Sequence, residues 1–245
     1  MTGREFWRRY IAVRVCAGCK ELISYEQSED AFCPQCRASF DRAKTENCSK
    51  CFQAYCECTC MPSSLQKEGA LSLRALVRYT SKHKREPQNR IIYSLKQKPN
   101  RRYSTFLARE LDPLICEELR AVGVEDSKTE ACLVPIPRGK RAYVKTGTDQ
   151  SVSICRALSA VEGIPTCMCL QRKWGGKEQK NLTMAQRRKN LQGLFHVTEP
   201  ELIQGKVVIL LDDVVTTGAT MATCARLLKK AGAVAILAVC VAKNS

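Results

Sequence analysis

Residues 207–220 read VVILLDDVVTTGAT. Five aliphatic residues run straight into two carboxylates, Asp212 and Asp213. Two further apolar residues follow, then the small turn Thr216-Thr217-Gly218-Ala219-Thr220. An unbroken apolar run of this length suits a strand buried on both faces, the usual state of a parallel strand in an α/β sheet. Acids at the end of such a strand stand at the carboxyl edge of the sheet, where open α/β folds bind ligands. The turn then opens a helix, because Met221, Cys224, Ala225 and Leu228 recur at i, i+3, i+4 and i+7. Free N–H groups and the positive end of the dipole at a helix start attract a phosphate. Two acids beside such a cradle fit a phosphorylated sugar, the carboxylates accepting from ribose hydroxyls and the turn donating to the 5′-phosphate.

The remaining pattern extends this picture. Leu65, Leu71, Leu73, Leu76 and Val77 indicate a helical stretch beginning near 65, and Ile91, Ile92 and Leu95 mark a helix over 88–97. Residues 101–120 read as a longer amphipathic helix interrupted at Pro113. Short strands are expected at 131–136 and 166–170, a helix at 150–161 and a last strand at 233–242, after a helix over 220–231 that Gly232 stops. Strands alternating with helices predict a doubly wound, mainly parallel sheet.

Cysteine is distributed unevenly. Nine of the sixteen lie between Cys16 and Cys60, as CAGC at 16–19, CPQC at 33–36 and CSKC at 48–51, followed by Cys56, Cys58 and Cys60. Paired CxxC knuckles have the spacing of tetrahedral zinc–thiolate sites, each tight turn aiming two sulfurs at one ion. Cys16, Cys19, Cys33 and Cys36 form the first expected set. Cys48 and Cys51 with two of Cys56, Cys58 and Cys60, in chain order Cys56 and Cys58, form the second. Four thiolates leave no open position for water, so such zinc is structural. A disulfide-stapled head is the alternative; it needs an oxidising compartment, and no secretion signal is visible in the first residues. Residues 1–62 are therefore expected to form a Cys-rich zinc-binding module and 63–245 the α/β domain, divided near Met61-Pro62-Ser63-Ser64.

The chain carries 40 basic and 24 acidic residues, a net charge of +16, which favours a polyanionic partner. No segment has the 18 or so apolar residues that a membrane span needs, and a cytoplasmic location is expected. Cations concentrate in three segments. Lys96 lies in the first; Arg138, Lys140, Arg141 and Lys145 in the second, which follows the 131–136 strand and so falls at the same sheet edge as the acids; residues 172–189 form the third, with Trp174-Gly175-Gly176 as a hinge-like tip. A mobile loop of that composition closes over a bound substrate and excludes water. Trp174 among cations also suits stacking on an unpaired base. The two histidines, His83 and His196, have no catalytic assignment.

The 207–220 stretch resembles the phosphoribosyl-pyrophosphate (PRPP) motif of type I phosphoribosyltransferases. With the cysteine head on the same chain, nearly the whole length resembles the ComF family. Further matching stretches are IIYSLKQ around Lys96, VPIP at 134–137 with Gln150 thirteen residues on, and Gln179, Leu182, Arg187, Asn190, Leu191 and Phe195 at the family's spacing. One stretch departs from it: where the family reads RGFNQ, residues 146–150 read TGTDQ, with Thr146 and Asp149 replacing an arginine and an asparagine. The resemblance implies a type I phosphoribosyltransferase-like domain. Asp212 and Asp213 would then be the catalytic acids orienting the ribose, and Thr216, Thr217, Gly218, Ala219 and Thr220 would hold the 5′-phosphate. Lys96, Arg138, Lys140, Arg141, Lys145, Gln179 and Arg187 would face pyrophosphate or nucleic acid, and Mg²⁺ would accompany PRPP. The resemblance also implies handling of single-stranded DNA in natural transformation, with a helicase partner. The alternative is an active Mg²⁺-dependent phosphoribosyltransferase of nucleotide or base metabolism with an unassigned acceptor.

Overall fold

The computed structural model describes residues 14–23, 30–79, 85–139, 143–144, 146–147, 149–173 and 193–244. The head opens with an antiparallel pair, β1 (Arg14–Val15) and β2 (Leu22–Ile23), and continues into α1 (Pro34–Thr45). After the short α2 (Ser63–Lys67) the chain enters a parallel sheet. Its order is β3 (Ser72–Arg78), β8 (Ala235–Lys243), β7 (Val207–Val215) and β4 (Ala131–Pro135). The intervening helices are α3 (Pro87–Gln97), α4 (Arg101–Ala121), α5 (Ser127–Glu130), α6 (Gln150–Glu162) and α7 (Ala219–Lys230). A separate antiparallel pair, β5 (Leu170–Arg172) and β6 (Phe195–Val197), lies outside the sheet.

Alternate residues of each strand serve opposite faces. Ile209, Leu211, Leu237, Val239 and Leu133 pack into one core with residues of α1, α3, α4 and α6. Val208, Leu210, Ile236, Ala238 and Val134 pack into the other with residues of α2, α7 and the β5–β6 pair. The sheet is therefore doubly wound, as its aliphatic strands predict. Fully burying each large aliphatic side chain contributes about 1.5–3 kcal/mol.

Two sequence expectations need correction. Residues 72–78 form β3, not a helical turn sequence. Leu73 through Val77 are all buried because the strand lies between two cores, and a short apolar run of this kind does not distinguish strand from helix by period. Pro113 does not interrupt its helix: α4 runs unbroken from Arg101 to Ala121. Pro113 is exposed, as is Arg109 one turn earlier, so the carbonyl that loses its helical donor lies on the side where water can supply one.

The head shares the sheet's core. Cys16, Ile23, Phe32, Phe40 and Ala43 belong to the same apolar cluster as the strand residues. Phe32 and Phe40 meet Phe106 of α4 at centroid distances of 5.2 and 5.4 Å. Arg37 and Lys44 both pair with Glu110 of α4, at 2.7 and 2.6 Å. Arg74 of β3 is 4% exposed; its guanidinium donates to Glu118 at 2.8 Å, to Glu117 at 2.9 Å and to the Cys56 carbonyl at 2.9 Å. These three bonds from the guanidinium's terminal nitrogens tie sheet, helix and head at one point, although its buried Nε finds no acceptor.

Candidate phosphoribosyl pocket and cysteine clusters

The pocket forms where the sheet opens. β4 ends at Pro135, paired with Leu211, and the Ile136 N–H bonds the Leu211 carbonyl. β7 continues beside β8 to Val215, so Asp212 and Asp213 emerge where β7 has lost one neighbour. The acids thus lie within the strand's last stretch. A divergence of this kind is the usual place for a ligand crevice. A cavity of 260 Å³ occupies it, lined by Asp212, Asp213, Thr220, Lys96, Arg138, Gly139, Asp149, Ser151 and Arg172, among others.

Charges alternate around this cavity. Lys96, from the end of α3, pairs with Asp213 at 2.8 Å. The Asp213 N–H donates to Asp212 Oδ1 at 2.8 Å, and Ser151 of α6 donates to the same oxygen at 3.4 Å. Desolvation, reinforced by the Asp213 charge, pushes the Asp212 carboxyl well above the usual carboxylate range, against the opposing pull of that N–H and of Lys96. Desolvation likewise raises Asp149, although N–H donors from Arg138 and Val152 pull it down. Burial lowers the Arg172 guanidinium, which stacks over Phe195 at 5.5 Å. The acids here can accept from a ligand's hydroxyls, while Lys96, Arg138 and Arg172 line the same cavity with positive charge for its anionic groups.

Thr146 and Asp149, the two departures from the family pattern, both hold Arg138. Asp149 caps α6 and accepts the Arg138 N–H at 2.8 Å, while the Thr146 hydroxyl accepts from the Arg138 guanidinium at 3.0 Å. The same guanidinium bonds the Lys96 carbonyl at 3.1 Å. Arg138 therefore links the loop after β4 to α3 beside the acids.

Beyond Val215 the small turn follows, and α7 begins after Gly218. Gly218 has φ +71°, and a Cβ there would stand 2.9 Å from Pro62 Cγ. Only glycine fits both the left-handed backbone and the close approach of the head's last residues. Thr220 faces the pocket with the acids. Thr216 and Thr217 line a second cavity of 480 Å³ shared with Cys48, Lys50, Cys60 and Lys243. Lys140, Arg141, Lys145, Trp174, Gln179 and Arg187 lie outside the described residues. Arg172, Ser151 and Asp149 join the site without having been singled out as ligand-facing; only the position of Arg172 at the head of the third basic segment hinted at it.

Two cysteine clusters close in the head. The Sγ atoms of Cys16, Cys19, Cys33 and Cys36 lie within 4.8 Å of one another, as do those of Cys48, Cys51, Cys58 and Cys60, and each set can hold a metal ion. The second set takes Cys60 where chain order had placed Cys56. Cys56 instead packs against the sheet's core, with its carbonyl held by Arg74. A Cβ on Gly18 would meet Cys36 Sγ at 2.6 Å, so the first knuckle closes only around glycine. Burial works to raise the Cys16 thiol, but N–H donors from Cys33, Cys19 and Gly18 bring it down to about 7; similar donors bring Cys48 to about 6. Lys243 Nζ, buried at the end of β8, reaches Cys58 Sγ at 3.2 Å and the Cys58 and Cys60 carbonyls at 3.0 and 3.1 Å.

The phosphoribosyl transferase domain family matches residues 152–245, the part of the chain that carries α6, β7 with its acid pair, α7 and β8. The chain is similar to DNA utilization protein YhgH of Salmonella typhimurium, 25% identical over 231 residues that span 94% of this chain and 90% of that protein. The protein of the same name from Escherichia coli K12 is 28% identical over 159 residues, 64% of this chain and 68% of its own. A solved allosteric regulatory enzyme of purine biosynthesis aligns at 19% identity over 56% of this chain and 25% of its own, with a TM-score of 0.36. The ComF resemblance is borne out: this chain joins a phosphoribosyl transferase domain to a cysteine-rich head and has the DNA utilization proteins as relatives. Among the described residues, no helix is long and apolar enough to cross a membrane.

Proposed function

We propose that the chain is a cytosolic DNA-utilization protein that binds PRPP or a related phosphorylated ribose and handles single-stranded DNA in natural transformation, alongside a helicase. The convergence of Lys96, Arg138 and Arg172 on the Asp212–Asp213 pair carries this reading. In it, Asp212 and Asp213 accept from the ribose hydroxyls and residues 216–220 donate to the 5′-phosphate. Lys96 leaves Asp213 for the ligand's anionic groups, while Arg138 keeps the wall beside them in place. The net charge of +16 and the DNA utilization relatives support the nucleic-acid half.

Zinc is the metal that suits the head. A tetrahedral ion with Zn–S bonds of about 2.3 Å holds its sulfurs about 3.8 Å apart. Cys19 and Cys33 are 3.7 Å apart and Cys51 and Cys58 3.5 Å. Both sites are closed by four thiols and are structural.

The second reading is an active phosphoribosyltransferase, in which Mg²⁺ arrives with PRPP and neutralises the leaving pyrophosphate while Asp212 and Asp213 position the ribose. The oxygen donors of the pocket are favoured by this ion. Thermal unfolding with and without Mg²⁺–PRPP tests the pocket. The wild type is expected to gain several degrees and Asp213→Ala none; no gain in the wild type would reject the PRPP reading. Pyrophosphate release from PRPP that disappears in Asp213→Ala would favour the enzyme.

A further inference from the structure

Between the pocket and the first cysteine cluster runs the outer face of α3. At 3.6 residues per turn, Tyr93 and Gln97 crown this face, Lys96 lies on the flank towards the acids, and Ser94 on the opposite flank. Lys96 enters the acid pocket. Ser94 and Gln97 line a different cavity of 300 Å³ that also takes Lys20 and Lys98. Lys20, at the tip of the first knuckle, is fixed to the helix by donation to Ser94 Oγ at 3.0 Å. Tyr93 stands on the ridge between the mixed-charge acid pocket and the Lys20–Lys98 cavity with 63% of its surface exposed.

This large ring packs against neither core cluster. An aromatic platform flanked by cations matches single-stranded nucleic acid, whose unpaired bases stack while its phosphates meet the amines. A duplex hides those base faces, and an acidic peptide has no use for the ring. We propose that the Tyr93 ridge is the track on which a single strand lies, with one base on the Tyr93 ring and the flanking phosphates at Lys20–Lys98 and towards Lys96. This rests on the DNA-handling half of the proposed function and adds the strand's location.

The test is fluorescence anisotropy of a labelled oligo-dT strand with the full, metal-loaded chain over a range of salt concentrations, for wild type, Tyr93→Ala, Tyr93→Phe and Lys98→Ala. Tyr93→Ala is expected to weaken binding roughly ten-fold or more, as loss of a stacking platform does, while Tyr93→Phe binds within two-fold of wild type. Lys98→Ala is expected to reduce the slope of log K against log salt by up to about one. The Mg²⁺–PRPP thermal shift of Tyr93→Ala serves as a folding control and should match wild type, because the ring lies outside the acid pocket. Wild-type affinity in Tyr93→Ala, or equal binding of a duplex of the same length, would overturn the ridge while leaving the DNA reading in place. A wild type that shifts with PRPP but binds no single strand would overturn both.

Discussion

Asp212→Asn separates what the pocket costs in stability from what it does. Burial and the adjacent Asp213 raise the Asp212 carboxyl well above its ordinary value of 3.8. Below that value the folded and unfolded chains are both protonated at this position, and no penalty exists. As pH rises, the unfolded chain ionises first, and stability falls by about 1.4 kcal/mol per pH unit until the folded carboxyl ionises too, after which the loss is constant. Asparagine cannot ionise, and its Oδ1 can still accept the Asp213 N–H and the Ser151 hydroxyl that now bond Asp212 Oδ1 at 2.8 and 3.4 Å. The variant is therefore expected to be more stable than wild type at pH 8, by about 1.4 kcal/mol for each pH unit over which only the unfolded carboxyl is ionised. That advantage should shrink as pH falls towards 4. PRPP binding should weaken by roughly ten-fold or more, since the amide can never become the carboxylate that ribose hydroxyls would donate to. Urea unfolding of both proteins between pH 5 and 8, compared as differences so that thiol protonation cancels, measures the first effect; calorimetric titration with Mg²⁺–PRPP measures the second. A stability gain that does not vary with pH, or a loss at pH 8, would refute the electrostatic account of the acid pair.

Other substitutions probe the head and its seam with the sheet. Gly18→Ala places a Cβ 2.6 Å from Cys36 Sγ, so bound metal should fall by one equivalent and stability by about 2 kcal/mol, read by metal analysis and thermal melting. Cys60→Ser should cost one equivalent of metal and Cys56→Ser none; the reverse result would return Cys56 to the second cluster. Glu118→Ala leaves the buried Arg74 guanidinium short of a partner and should destabilise by about 3 kcal/mol in urea unfolding, whereas a change below 1 kcal/mol would mean that Glu117 and the Cys56 carbonyl suffice.

What the sequence made legible was local. The aliphatic run, the acid pair and the small turn lie within fourteen consecutive residues, so their strand–turn–helix path follows from composition alone. The first cysteine set was legible because both of its CxxC knuckles are complete, with two ligands each. CECTC offers three cysteines at equal spacing, and packing against the sheet's core with the Arg74 bond, features of the fold and not of the spacing, turns Cys56 away. Arg172 and Ser151 reach the pocket through the sheet's crossovers from positions forty and sixty-one residues before Asp212, and no short-range pattern carries that information. Leu71 to Val77 failed for a related reason: a strand buried on both faces loses the alternation that would identify it.

Each cysteine cluster is tied to a different element beside the pocket. The first knuckle rests on α3 through Lys20 and through Arg90, whose guanidinium donates to the Gly18 carbonyl, and α3 carries Lys96 to Asp213. The second cluster is held by Lys243, the β8 partner of Val215 where the phosphate turn begins, and Pro62 just behind it limits the space beside Gly218. A head with so few aliphatic residues of its own leans on this seam for its order, and an ion in either cluster would add to it. Emptying a cluster that holds an ion would then act on the pocket as well as on the head: from the first through the helix that carries Lys96 to Asp213, and from the second through the turn after β7. The head thus braces two elements that shape the pocket, α3 and the turn after β7, without lining the acid cavity itself.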